Sequence, residues 1–171
     1  MPETAIVALF PELDPLLSGW LRRYTPSGAR GLGPHVTLKV PFADSSVVGE
    51  HLAELAGELA QFAPFDIVLR SAARFPGTLY LAPEPAEPFV AMTEALGRAF
   101  PDFPPYGGEF DEIVPHLTIA QGDDSLLDAI EAELAEELPL ETRVERVWLV
   151  ENTPTGWSRH TGFALERRKS V

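Results

Sequence analysis

Two five-residue blocks constrain this chain more than any other feature. Pro34-His35-Val36-Thr37-Leu38 and Pro115-His116-Leu117-Thr118-Ile119 share proline, histidine and threonine in register, with aliphatic residues at the other two places. The second block begins 81 positions after the first. Two copies at so long a period exclude a solenoid and imply an internal duplication. The surrounding pattern repeats as well, since strand–helix–strand–strand describes both residues 34–83 and residues 115–167. The expectation is one two-lobed α+β domain over residues 1–171, with approximate twofold symmetry.

Hydrophobic periodicity supplies the elements. A strand is expected over Thr4–Phe10 and a helix over Glu12–Tyr24, where Asp14-Pro15 supplies a cap and a first-turn proline. Pro34 opens a strand through Phe42. A helix follows Asp44 with Leu52, Leu55, Leu59 and Phe62 spaced three and four apart, the stripe of a helix packed on one side. Phe65–Phe75 and Thr78–Leu81 read as strands paired through a Pro76-Gly77 turn. A third helix covers Pro88–Phe100, and Pro101–Pro115 reads as a loop. His116–Gln121 is a strand, Ser125–Leu138 an acidic helix, and Thr142–Glu151 and Gly162–Arg167 are strands joined through Asn152–Thr161.

Side chains alternate across a strand, so His35, Thr37 and Lys39 are expected on one face and Val36, Leu38 and Val40 on the core face. In each block imidazole and hydroxyl then stand about 7 Å apart on the open side. Symmetry turns the two open faces toward each other and makes a cleft with paired histidines and paired threonines. In-line displacement at a phosphodiester needs that set: a base at one apex, an acid at the other, and donors to the equatorial oxygens. Imidazole titrates near neutrality, so one ring can be neutral while its twin is protonated. His116 is assigned to activating water and His35 to protonating the leaving oxygen, with the reverse assignment left open.

Charge and residue inventory narrow the alternatives. The chain has no cysteine, which removes disulfides, thiolate metal sites and thiol nucleophiles. With four histidines, no HExxH spacing and no carboxylate in either block, the ligand set for a metal is poor, and no metal or cofactor is expected. No G-x-S-x-G elbow supports a serine hydrolase. A net charge of −13 repels long polyanions, so the expected substrate is a small nucleotide or an RNA end rather than a duplex. The acidic runs around Glu50–Glu58 and Asp123–Glu137 read as solvated helix faces. No segment has the length of a membrane span or the shape of a leader, and a cytoplasmic monomer is expected.

The doubled His-x-Thr-aliphatic block resembles the signature of the 2H phosphoesterase superfamily, in its bacterial branch labelled 2′-5′ RNA ligase or RNA 2′,3′-cyclic phosphodiesterase. Phe75-Pro76-Gly77-Thr78-Leu79-Tyr80-Leu81 is similar to that family's strand after the first helix, and Tyr106–Pro115 to its approach to the second motif. The resemblance implies two mainly antiparallel sheets flanking a cleft with helices outside, and His35, Thr37, His116 and Thr118 as the active site. It also implies metal-independent hydrolysis of a 2′,3′-cyclic phosphate to a 2′-phosphate, with weak reverse ligation in some members. The rival reading is a non-catalytic module that binds a nucleotide in the same cleft.

Around that core, Lys39 is expected to lend positive charge to a phosphate. Arg74, with Arg70 on the same strand face, is expected to form a basic strip, and Tyr80, Tyr106 and Trp157 are candidates to stack a base. His51 and His160 have no twin and read as structural.

Overall fold

The computed structural model describes residues 3–103 and 113–167. Two four-stranded antiparallel sheets form its frame, ordered β2-β1-β7-β8 and β5-β4-β3-β6. The strands are β1 (Glu3–Leu9), β2 (His35–Lys39), β3 (Phe65–Phe75), β4 (Thr78–Glu84), β5 (Leu117–Gln121), β6 (Leu140–Val144), β7 (Arg146–Thr153) and β8 (Gly156–Ala164). The helices are α1 (Asp14–Tyr24), α2 (Pro26–Ala29), α3 (Leu52–Leu59), α4 (Glu87–Ala99) and α5 (Asp124–Ala135). Both histidine strands lie at sheet edges and reach their neighbour through a helix: β1–α1–β2 in one sheet, β4–α4–β5 in the other. The helices cross over, α1 packing on β5 and α4 on β2, and the edge strands β2 and β5 meet.

Amphipathic stripes explain the packing. Leu17 and Leu21 of α1, Leu55 and Leu59 of α3, Phe89, Met92 and Leu96 of α4, and Leu127 and Leu134 of α5 are all buried in one core with Ile6, Leu38, Leu79, Ile119 and Leu149. Each such side chain contributes about 1.5–3 kcal/mol on leaving water. A separate cluster of Ala5, Val7, Leu32 and Val150 lies on the opposite face of the first sheet. Among the described residues no helix is long and apolar enough to cross a membrane.

Two expectations change at the end of the chain. The strand expected over Thr142–Glu151 is two strands, since β6 pairs with β3 and β7 pairs with β1 in the other sheet. The buried positions show the break: Val144 is followed by Val147 and Leu149, an odd step that a single strand cannot accommodate on one face. The last strand is β8 at Gly156–Ala164 rather than Gly162–Arg167, within a hairpin that occupies the expected linker. It is an edge strand with Ser158, Arg159 and His160 exposed, so it lacks the alternation that marks a strand in sequence.

Candidate active site

Each histidine is built the same way. His35 Nδ1 bonds the Gly33 carbonyl at 2.8 Å, and His116 Nδ1 bonds the Val114 carbonyl at 2.7 Å. A carbonyl only accepts, so Nδ1 carries the proton and the neutral ring presents Nε2 as its basic atom. In both cases the accepting residue lies two positions back, across the proline of the block. Both rings are half-buried. Burial pushes the His35 pKa down from 6.5; the Gly33 hydrogen bond opposes that, and the charge of His116 adds to it. Burial likewise lowers His116, against the Val114 hydrogen bond. The two imidazoles are therefore close enough to couple electrostatically.

Thr37 and Thr118 hold equivalent places. Thr37 pairs with Val7 of β1, and Thr118 pairs with Tyr80 of β4. Both are half-buried, and among the described residues neither hydroxyl has a hydrogen-bond partner. Stiff at χ1, they are donors held ready on the same strands as the imidazoles.

One residue beyond each threonine the ladder slips. Val7 faces Thr37 while the adjacent Ile6 faces Lys39, and Tyr80 faces Thr118 while the adjacent Leu79 faces Ala120. Each histidine strand thus carries a bulge, two residues opposite one, which turns consecutive side chains to the same side. In β5 these are Ile119 and Ala120, both in the core. In β2 they are Leu38 and Lys39, while Val40 packs on the Ala5–Val7 cluster of the other face. The expectation that Lys39 shares the His35–Thr37 face is corrected by this bulge. Lys39 is 1% exposed, and its Nζ is buried without a hydrogen-bond partner among the described residues. Burial alone lowers its pKa to about 8.

The remaining candidates divide. Arg74 is tied to Asp128 at 2.7 Å and Glu131 at 3.2 Å on α5, and Arg70 to Glu84 at 3.0 Å. Carboxylates thus engage both guanidinium groups, and in place of the expected basic strip Arg74 straps β3 onto the acidic helix and Arg70 ties β3 to β4. Tyr80 is 8% exposed and stacks on Phe75 at 4.4 Å. Both rings meet His116 edge-to-face, at 5.6 Å from Tyr80 and 5.1 Å from Phe75. Tyr80 therefore packs the imidazole rather than presenting an open face to a base. Phe75 is a site neighbour that sequence reasoning missed; its signal was the strand pairing through Pro76-Gly77, which sets it opposite Thr78, two residues from Tyr80. Trp157 lines a cavity beside Gly33 and Pro34. Tyr106 lies outside the described residues. His51 sits among Phe42, Phe100 and Phe103, and His160 bonds Thr161 on β8. Among the described residues no three His, Asp or Glu gather as a metal site.

A family described as the 2′-5′ RNA ligase superfamily matches residues 9–155, a span that includes both histidine strands. The chain belongs to that superfamily, the 2H phosphoesterases. It is thereby placed among enzymes acting on phosphodiesters. The fold agrees: TT0787 of Thermus thermophilus is 22% identical with a TM-score of 0.66, over 96% of this chain and 98% of that one. LigT of E. coli, solved with 3′-AMP, is 14% identical with a TM-score of 0.68, over 98% of this chain and 100% of that one. The chain matches no curated protein in sequence.

Proposed function

We propose that this 2H phosphoesterase hydrolyses nucleoside or RNA-terminal 2′,3′-cyclic phosphates to 2′-phosphates without a metal ion. The observation that carries the reading is the paired construction of His35 and His116: each ring is fixed through Nδ1, each directs Nε2 away from the anchoring carbonyl, and the two stand on adjoining edge strands. One neutral imidazole removes a proton from water as its oxygen attacks phosphorus. The P–O3′ bond breaks, and the protonated imidazole gives its proton to O3′. Thr37 and Thr118 donate hydrogen bonds to the non-bridging oxygens, where charge accumulates.

The environments favour the reverse of the sequence-based roles. His35 feels both burial and the charge of its twin, so it is the ring that stays neutral and serves as base. The pKa of His116 is lowered by burial against its Val114 hydrogen bond, without the added charge of its twin, and this ring serves as acid. A nucleotide substrate is consistent with the 3′-AMP, NADP+ and ATP named for LigT structures.

The test is turnover of a nucleoside 2′,3′-cyclic phosphate in EDTA, with the 2′- and 3′-phosphate products separated. A 2′-phosphate formed by the wild type and lost in His35→Ala and His116→Ala supports the reading. Binding with no product supports the nucleotide-binding module instead.

A further inference from the structure

A cavity of about 310 Å³ opens beside His35. Its floor includes Leu9, the direct partner of His35 in the ladder, and its edge includes Gly33, whose carbonyl holds the imidazole. The cavity and the candidate reaction centre therefore share a wall. Trp157 and Arg159, alternate residues of β8, and Arg22 of α1 also line it.

Two guanidinium groups line this cavity. Neither Arg22 nor Arg159 has an ion pair among the described residues, a state they share with Arg23, Arg30, Arg98, Arg146 and Arg167; Arg22 and Arg159 are set apart by lining the same cavity. Arg159 lies over the Trp148 ring, 4.8 Å from its centroid, which holds the guanidinium without neutralising it. In a chain of net charge −13, two arginines that line one cavity and have no ion pair among the described residues form a local cationic place. Asp14 also lines the cavity and accepts from Ser18, yet it sits eight residues before Arg22, roughly 12 Å along the helix. The carboxylate lies beside Gly33, where a Cβ would come within 2.8 Å of its Oδ1.

The wall is also rigid. Arg30 Nε bonds Asn152 Oδ1 at 2.8 Å, its Nη2 bonds the Thr153 carbonyl at 2.6 Å, and its own carbonyl accepts from Trp157 N at 2.8 Å. Gly156 makes this close approach feasible: its φ is +129°, and a Cβ there would lie 2.5 Å from the Arg30 oxygen. The β7–β8 hairpin is therefore stitched to the loop before His35, and the cavity does not need ligand to form.

We propose that Arg22 and Arg159 bind the 5′-phosphate of the nucleotide whose cyclic phosphate lies between the two imidazoles, with its sugar and base against Leu9 and Trp157. The location of the cyclic phosphate rests on the proposed function; the anion site does not. The enzyme then favours a substrate phosphorylated on the 5′ side of the reacting ribose over a bare nucleoside cyclic phosphate.

Two measurements separate these claims. In the first, kcat/KM is compared for adenosine 2′,3′-cyclic phosphate, the same compound with a 5′-phosphate, and a dinucleotide ending in a cyclic phosphate. The 5′-phosphorylated compounds are expected to be better by about tenfold or more, the worth of a charge-assisted hydrogen bond. In Arg22→Ala and Arg159→Ala that ratio falls toward one. A dinucleotide better than the 5′-phosphorylated mononucleotide identifies an RNA end as the source of the phosphate, and the opposite order a free nucleotide. In the second, Trp157 fluorescence follows titration with adenosine 5′-monophosphate and with adenosine, and Trp157→Phe identifies the signal. This readout needs no turnover. Tight binding of the monophosphate, weakened about tenfold in either arginine variant, supports the site even if no cyclic phosphate is hydrolysed. Equal turnover of all three compounds, or equal binding of nucleotide and nucleoside, overturns it.

Discussion

The two histidine strands carry the same words in different surroundings. His35 has an aliphatic neighbour, Leu9, across the ladder, and Leu9 lines a cavity with Arg22 and Arg159, while His116 packs edge-to-face against the stacked pair Phe75 and Tyr80. Both strands bulge just after the threonine, yet one bulge buries the methyl of Ala120 and the other buries the amine of Lys39. The two strands thus carry the same polar groups over different packing. In the proposed two-proton mechanism that asymmetry decides which imidazole is neutral and which is protonated.

The strongest way to break this comparison is to remove one ring at a time. His35→Ala and His116→Ala should each lower kcat/KM by about 10²–10⁴-fold, with urea midpoints close to wild type. Because both pKa values lie below the ordinary 6.5, the pH profile should be a bell with its maximum on the acid side of that value. The residual activity of His35→Ala should lose the acid limb, and that of His116→Ala the alkaline limb. If the limbs are lost the other way round, the base and acid exchange places.

The contrast between Lys39 and Ala120 is sharpened by stability. Folding holds the Lys39 pKa at about 8 against 10.5, so the unfolded chain binds more protons between those values, and stability rises as pH rises through them. Lys39→Met should therefore stabilise the protein at pH 7 by roughly 3 kcal/mol, and the gain should vanish above about pH 10.5. Urea melts at both pH values check this. Next in size, Phe75→Leu should lower kcat by roughly three- to tenfold, equivalent to about 0.5–1.5 kcal/mol of aromatic contact, and should shift the His116 resonance in NMR titration more than that of His35. Smallest is Arg74→Ala, whose carboxylate partners are exposed: kcat/KM should be unaltered and stability should fall by less than about 1 kcal/mol.

What sequence reveals here depends on range. The Pro-His-x-Thr blocks and the leucine stripes are local periodicities, and Val36, Leu38, Leu55 and Leu59 are buried where those periods place them. The bulges were hidden, because Thr37-Leu38-Lys39 alternates perfectly as a string, and only the partner strand shows that one residue is extra. Arg74 looked like a ligand because its carboxylates lie more than fifty positions away on α5. The carbonyl bond that sets each histidine tautomer depends on how the chain turns across a proline, and composition does not record that. Phe75 was visible as a strand residue but became a neighbour of His116 only through the β4–β5 pairing.

The crossing of the chain between sheets governs the order of assembly. β1 pairs with β2 nearby but also with β7, so that Glu3 stands opposite Asn152. A ribosome must deliver everything from β1 through β7 before that edge is covered, and until then β1 presents bare amides to any passing strand. Neither histidine block brings a complete sheet with it, so half of this molecule is not half an enzyme.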